Sequence, residues 1–451
     1  NRYKYLDRCQ NDEVCICEMS QADSAQVEKI IEIAETDPAG WRKTTLEERH
    51  RIMYEAANRL ADMRGDLIGC MCAVTGKTVI EGDVEVSEAV DYARFYTTAM
   101  KKFAALDDVE MKPKGTILVI SPWNFPCAIP VGGIVAGLAG GNTVILKPAT
   151  VAAPVAWMFA KAFWDAGVPK EALQVIITRR EALKVLTTAP AIKHIILTGG
   201  TDTAQNIAKA NPTTPLSAET GGKNVIILTA SGDRDHAIMN IVTSAFGNAG
   251  QKCSACSLLL VERSVYEDEN FRSKLKDAAT SLKTGSVWNA GNIVGPMITN
   301  KNDKLLQAFN LEPGESWLVP PRFIDRREYI LAPTVKWGVK PESFSFRTEL
   351  FGPLLSVACI ENLEEGIRLV NGLDYGLTSG LQSLDEKEQK LWKNSVMAGN
   401  LYINRGITGA IVNRQPFGGM KLSAFGGAGC GQPIWYRLQE ESERTGYRHR
   451  G

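Results

Sequence analysis

The sequence predicts an α/β protein of at least two domains, built on doubly wound parallel sheets. Three observations carry this reading. The chain has 451 residues, too many for one compact core. From Gly115 onward, short β-branched runs alternate with helix-length stretches. Several of these runs stop at short motifs, at the carboxyl ends of strands where ligands gather in such sheets.

The elements follow in order. The first 23 residues are polar, carry Cys9, Cys15 and Cys17, and show no period that assigns them. Asp23 to Glu35 sets Val27, Ile30, Ile31 and Ala34 at helical spacing. Thr45-Leu-Glu-Glu48 has the form of a capping box, opening a helix with Ile52, Ala56, Leu60 and Met63 on one face. A third helix spans Val84 to Phe103, and we read all three as packing elements. Thr116–Ile120 is a strand ending in Ser121-Pro-Trp-Asn-Phe-Pro126, followed by a small-residue helix from Gly132 to Gly140. A strand at Thr143–Leu146 ends in Lys147-Pro-Ala-Thr150, and the helix over 151–166 closes at Gly167-Val-Pro169. Further strands are expected at Gln174–Thr178, His194–Leu197 and Asn224–Leu228. A second α/β region, from about Val225 to Asn404, holds a helix over 235–246, a cysteine loop, a strand at Leu258–Glu262 and the segment Arg347-Thr-Glu-Leu-Phe-Gly-Pro353. The glycine-rich tail (Phe417-Gly-Gly, then Phe425-Gly-Gly-Ala-Gly429) reads as loops returning over a cleft, not as a third domain.

Bulk chemistry excludes several functions. Lys and Arg number 51 against 51 Asp and Glu, so there is no basic stripe for nucleic acid and no polybasic membrane patch. No apolar run approaches the ~20 residues of a membrane span, and the chain does not open on a signal-peptide pattern. The ten cysteines are sparse for this length and do not suggest a secreted disulfide framework. A reduced, cytosol-like compartment is expected. Because the chain opens at Asn1, we expect it to be part of a longer polypeptide.

The chemistry centres on Phe246-Gly-Asn-Ala-Gly-Gln-Lys-Cys-Ser-Ala-Cys256. A thiol is the strongest nucleophile among ordinary side chains when it is held as thiolate, and the small residues around Cys253 leave room for a substrate. Cys253 and Cys256 also form a C-x-x-C, open to a redox pair or half of a zinc site. The four histidines show no paired ligand spacing, so no metal is expected. Glu219, in Leu216-Ser-Ala-Glu-Thr-Gly-Gly222, is either a general base for water or a solvated loop charge. Asn124 is either an oxyanion donor or an Asx turn, and Lys147 either binds a ribose hydroxyl or a phosphate or is solvated. No G-x-G-x-x-G follows the first strand, so an ordinary dinucleotide phosphate loop is not indicated.

Taken together, the motifs over roughly residues 20–437 resemble the NAD(P)-dependent aldehyde dehydrogenase superfamily. They are S-P-W-N-F-P at 121–126, L-K-P-A at 146–149, L-T-G-G at 197–200, E-T-G-G-K-N at 219–224, G-Q-K-C at 250–253, E-L-F-G-P at 349–353 and Q-P-F-G-G at 415–419. The resemblance implies an NAD(P)-binding domain over 1–222 with the N-terminal helices, a catalytic domain over 223–420, a C-terminal return segment over 421–451, and an active-site cleft between the two domains. It implies Cys253 as nucleophile, Asn124 with the Cys253 backbone N–H as oxyanion site, and Glu219 as the base that hydrolyses a thioester. Lys147 and Glu349 are implied to bind the cofactor riboses. Trp123 and Phe351 are implied to line the cofactor site, together with Thr150, Thr198, Gly199 and Gly200.

The branch it is most similar to oxidises glutamate semialdehyde, the open form of pyrroline-5-carboxylate. Ser254, the loop Thr408-Gly-Ala-Ile-Val412 and the following Q-P-F-G-G carry that similarity. It implies that Ser254, Gly409 and Ala410 hold the substrate carboxylate, and that Phe125 and Phe417 wall its aliphatic part. The short connection Phe103–Gly115 and the ending Gly431-Gln-Pro-Ile-Trp-Tyr-Arg-Leu438 resemble the dehydrogenase half of bifunctional proline-utilisation enzymes, which implies a fused or associated proline dehydrogenase and a homo-oligomer. The location implied is cytoplasmic, or the mitochondrial matrix in a eukaryote. Three departures stand out. Thr150 replaces a frequent acidic residue, which leaves NAD and NADP both open; Gly200 replaces a frequent serine; and Lys421-Leu-Ser-Ala-Phe425 departs from K-x-S-G. Dehydrogenases of other carboxylated semialdehydes or of general aldehydes, a non-catalytic binding module and a thiol-redox role for Cys253 and Cys256 are the alternatives.

Overall fold

The computed structural model describes residues 2–7, 14–107, 110–178, 180–325 and 329–426. Most of the return segment, including Gly431–Leu438, and Cys9 lie outside the described residues. The polar N-terminal stretch without a readable period forms a hairpin, β1 (Arg2–Leu6) antiparallel to β2 (Cys15–Ser20). Helix α1 (Ser24–Thr36) starts at Asp23, which makes a reciprocal capping box with Gln26. Helix α2 (Leu46–Asp62) starts at Thr45, whose hydroxyl accepts the Glu48 N–H at 3.1 Å. A helix that periodicity does not announce, α3 (Arg64–Thr75), follows at once, because Leu67-Ile-Gly-Cys-Met-Cys-Ala-Val74 is apolar nearly all round and presents no stripe. Helix α4 runs from Val79 to Ala104 and starts earlier than expected, since Val79, Ile80 and Val84 are apolar yet exposed and blur its first turn.

The chain divides into two compact units. The first takes the described residues up to Glu219, together with Ile411–Gln415 and Phe425. Its sheet holds β3 (Thr116–Ser121), β4 (Thr143–Pro148), β5 (Leu173–Val175), β6 (Ile192–Thr198) and β7 (Leu216–Glu219), in the spatial order β7-β6-β3-β4-β5, all parallel. Phe425 lies on a two-residue strand at the β7 edge. Alternation along β3 shows the double winding. Ile117 and Val119 pack with α2 and α4 and with α5 (Ala128–Ala139) and α6 (Ala153–Asp165), whereas Leu118 and Ile120 pack with α1, α7 (Arg180–Thr188) and α8 (Thr201–Ala210). Strand β7 is not among the strands expected from the sequence, because it is only four residues long.

The second unit takes Thr220–Ala410 with Pro416–Ala424. Its seven-stranded sheet holds β8 (Asn224–Leu228), β9 (Cys256–Glu262), β10 (Ser316–Val319), β11 (Thr334–Trp337), β12 (Leu354–Ile360), β13 (Thr378–Gln382) and β14 (Asn400–Ile403), in the order β10-β11-β12-β9-β8-β13-β14. Only β10 runs antiparallel to its neighbour. Helix α9 (Arg234–Phe246) covers one face and leads into the cysteine loop.

Candidate active site

In the first unit the motif residues collect at the carboxyl ends of parallel strands. Register pairs Ser121 with Pro148, Ile120 with both Lys147 and Leu197, and Thr198 with Glu219. Ser121, Thr198 and Glu219 therefore fall side by side on one face of three adjacent strands. Glu219 is buried, 4% exposed, and its backbone carbonyl accepts the Gly199 N–H at 3.1 Å, which ties the L-T-G-G turn to the end of β7. Glu219 is thus a buried strand-end carboxylate and not a solvated loop charge. The hydroxyls of Ser121 and Thr198 are buried and have no hydrogen-bond partner in the structure. Burial without a partner disfavours a polar group, so these two hydroxyls at the strand ends are available to a polar atom of a ligand or a water. Lys147 is half-buried on β4, and desolvation lowers its pKa. Thr150 begins a single 3₁₀ turn, Thr150–Ala152, and Gly200 is the N-cap of α8 with no side-chain cap. Trp123 and Phe125 are half-buried and Asn124 is buried, all on the turn that leaves β3.

In the second unit one short segment, Gly221-Gly-Lys-Asn224, holds two motif residues at once. The Glu349 carboxylate accepts the Gly222 N–H at 2.8 Å, and a side chain at position 221 would collide with that carboxylate. A Cβ on Gly222 would sit 2.6 Å from the Cys253 carbonyl oxygen. The same oxygen accepts from the Asn224 amide at 2.7 Å; that amide also donates to the Ala255 carbonyl at 3.0 Å, while its oxygen accepts the Thr378 N–H at 3.0 Å. Glycines are required here by close approach, and Asn224 splints the cysteine turn to β8 and β13. The loop before Cys253 is wound left-handed at Asn248, Ala249 and Gly250, with φ of 52°, 53° and 68°. Gly250 packs on the Gly352 carbonyl, so G-Q-K-C and E-L-F-G-P interlock through backbone.

Burial shapes the charges around this segment. Glu349 is pushed above the usual carboxylate pKa by desolvation, opposed by the Gly222 N–H. Lys223 is fully buried, its ammonium donates to the Ser257 carbonyl at 3.2 Å, and desolvation lowers its pKa to about 7. Cys256 is buried and burial pushes its thiol up to about 12, whereas Cys253 is half-exposed. Inertness at Cys256 follows from its site, since a thiol held protonated is a poor nucleophile. Ser254 is buried next to Cys253, and its carbonyl accepts from the Thr378 hydroxyl at 3.4 Å. Phe351 is half-buried with φ 49°. Gly409 stands apart, exposed at φ 78° with open space where a Cβ would be; Ala410 and Phe417 are half-buried. The departing segment at 421–425 is firmly held. The Lys421 ammonium donates to the Asn371 and Leu373 carbonyls at 2.9 and 2.8 Å, and the Ser423 carbonyl accepts the Thr220 N–H at 2.9 Å. Among the described residues, no three or more His, Cys, Asp or Glu side chains converge to hold a metal ion. No helix among them is long and apolar enough to cross a membrane.

Comparison with known proteins agrees with this architecture. The model of the aldehyde dehydrogenase family matches residues 3–438. A protein of Geobacillus sp. named 1-pyrroline-5-carboxylate dehydrogenase is 32% identical over 90% of this chain and 82% of its own length. The structure of 1-pyrroline-5-carboxylate dehydrogenase from Thermus with bound NAD superposes with a TM-score of 0.90 at 30% identity, covering 97% of this chain and 88% of that one. Proline utilization A from Corynebacterium freiburgense gives a TM-score of 0.87 at 39% identity over 92% of this chain, which spans only 43% of that longer protein.

Proposed function

Since the chain belongs to the aldehyde dehydrogenase family, we propose that it oxidises L-glutamate 5-semialdehyde, the open form of pyrroline-5-carboxylate, to glutamate with NAD in proline catabolism. The observation that carries the reading is the clamping of Cys253 and Glu349 by one segment, Gly221–Asn224, directly after Glu219. The substrate rests on relatives named for pyrroline-5-carboxylate and on Ser254 beside the nucleophile. The first unit is the cofactor-binding domain and the second the catalytic one.

The chain's own residues divide the work as follows. The Cys253 thiolate attacks the aldehyde carbon, and the oxyanion that forms accepts hydrogen bonds from the Asn124 amide and the Cys253 N–H. Loss of one such donor costs roughly 10²–10³ in kcat. A bound nicotinamide supplies the acceptor for the hydride that leaves as the thiohemiacetal collapses. Cys253 is then a thioester, and Glu219 takes a proton from the water that hydrolyses it, releasing the carboxylate product and the thiol. The residues fit a dinucleotide. Lys147 and Glu349 offer a cation and a carboxylate for ribose hydroxyls, Thr198 and the Gly199–Gly200 turn offer a buried unpaired hydroxyl and a helix start, Thr150 carries no charge to repel a 2′-phosphate, and Trp123 and Phe351 offer apolar walls. NAD is the cofactor; NADP is the alternative that Thr150 leaves open. Ser254, Gly409 and Ala410 bind the substrate carboxylate, and Phe125 and Phe417 flank its methylenes. The likeness to proline utilization A supports association with a proline dehydrogenase, fused or separate; a cytoplasmic location and a homo-oligomer belong to the same proposal.

A panel of aldehydes tests the assignment. We expect kcat/KM for glutamate semialdehyde to exceed that for propanal by at least ~100-fold, the worth of two or more charge-assisted hydrogen bonds. Equal values would sink the substrate assignment, and a preference for a different carboxylated semialdehyde would move it within the class.

A further inference from the structure

The turn Asn124-Phe125 is backed by a buried ion pair that none of the aldehyde dehydrogenase motifs above includes. Lys77 lies between α3 and α4, and Glu85 lies in the second turn of α4. Their side chains are 1% and 0% exposed and form a salt bridge. Burying two charges is costly, and apolar residues could fill the same space at least as well, so such a pair invites the question of what else it holds. Each partner has a second contact. The other oxygen of Glu85 accepts the Cys127 N–H at 2.7 Å and the Ala128 N–H at 3.1 Å. Helix α5 begins at Ala128 and has no side-chain cap of its own, so Glu85 caps it from another helix and sets a negative charge against its positive end. The Lys77 ammonium stands 4.1 Å from the centroid of the Phe125 ring, within cation–π range and shielded from water. The carboxylate thus fixes the backbone two residues after Phe125, and the ammonium fixes the ring.

We propose that Lys77 and Glu85 are positioning residues for substrate selection: Glu85 anchors the end of the Asn124–Phe125 turn and Lys77 holds the Phe125 ring as a flat wall for the aliphatic part of the substrate. This rests on the reading of Phe125 as a substrate-contacting residue. A lysine in this place does more than neutralise a carboxylate, because its charge is shared with a π face, and the pull on that face falls as the ring loses electron density.

Steady-state kinetics with glutamate semialdehyde and with acetaldehyde, which has no methylene chain to be walled, test the proposal. The variant Lys77→Met/Glu85→Gln removes the cation, while the amide oxygen introduced at position 85 can still accept the two N–H groups. KM for glutamate semialdehyde should rise about tenfold, with kcat and both acetaldehyde parameters within about twofold of wild type. Phe125→Leu should act in the same direction, and the triple variant should be no worse than the more affected parent. Fluorinated phenylalanines at position 125 give an independent reading that leaves the ion pair intact. The preference for glutamate semialdehyde over acetaldehyde should fall stepwise with fluorine number. A flat series, additive effects in the triple variant, or an equal loss for both aldehydes would overturn the proposal while leaving Phe125 as the wall. If Phe125→Leu itself leaves the preference unchanged, the underlying reading of Phe125 fails instead.

Discussion

Two turns carry the key groups, and they are held in different ways. The turn bearing Asn124 and Phe125 is held by charge: Glu85 on two backbone N–H groups and Lys77 on a ring. The turn bearing Cys253 is held by shape: Gly222 against its carbonyl, Gly250 against Gly352, and one neutral amide, Asn224, as a splint. A charged clamp tolerates small shifts of its atoms, because Coulomb attraction falls slowly with distance, whereas backbone packed on backbone tolerates none. On the proposed roles, the first turn presents the wall that selects among substrates together with the Asn124 donor, and the second presents the nucleophile whose placement sets the rate.

The largest way to break this contrast is a single methyl in the second turn. In Gly222→Ala the new Cβ would lie 2.6 Å from the Cys253 carbonyl oxygen, so the turn must move. Displacing a reacting group by as much as ~1 Å costs about 100-fold, and we expect a loss of that order in kcat together with a lowered melting temperature, since the same methyl also meets the Asn224 amide. Steady-state kinetics alongside thermal melting checks this; activity within threefold of wild type would show that the turn is not held by shape.

A smaller effect sharpens the contrast through pH. Lys223 backs the second turn, and burial lowers its pKa from 10.5 to about 7, opposed by the charges of Cys256 and Glu349. Between those values the unfolded chain holds the proton and the folded chain does not, so stability rises with pH across that window. On this group alone, the wild type should gain about 2 kcal/mol from pH 7 to pH 9, a gain that Lys223→Met should lose. Denaturant titrations of both proteins at the two pH values measure it, and an equal change with pH in the two proteins would contradict the desolvation of Lys223.

The sequence makes one kind of structure legible and hides another. Strands β3, β4, β6 and β8 and helix α9 are announced by local period and by the motifs at their ends. The motif residues Asn124, Lys147, Thr198, Glu219, Cys253 and Glu349 stand out because each motif is contiguous. What periodicity leaves out is contact between distant parts of the chain. Helix α3 shows no stripe, β7 is too short for a pattern, Lys77 and Glu85 act on residues 42 to 48 positions away, and Asn224 acts on residues 29 to 154 positions away. Val84, apolar but 62% exposed, points the reader to the wrong start of α4 and away from the ion pair just beside it. Reading that helix as packing alone was incomplete, since Glu85 reaches the backbone of the Asn124 turn. A lone Lys and Glu eight residues apart carry no signal until the fold brings a ring and a helix end to them.

The central claim is that Cys253 carries the acyl group and Glu219 releases it. Stopped-flow measurement of NADH formation by Glu219→Gln with glutamate semialdehyde tests it most directly. The account predicts a rapid burst approaching one equivalent of NADH per active site, followed by a steady state slowed by at least ~100-fold, with the acyl adduct found on the Cys253 peptide. A variant that turns over at the wild-type rate, or one that forms no burst and no adduct on Cys253, would contradict it.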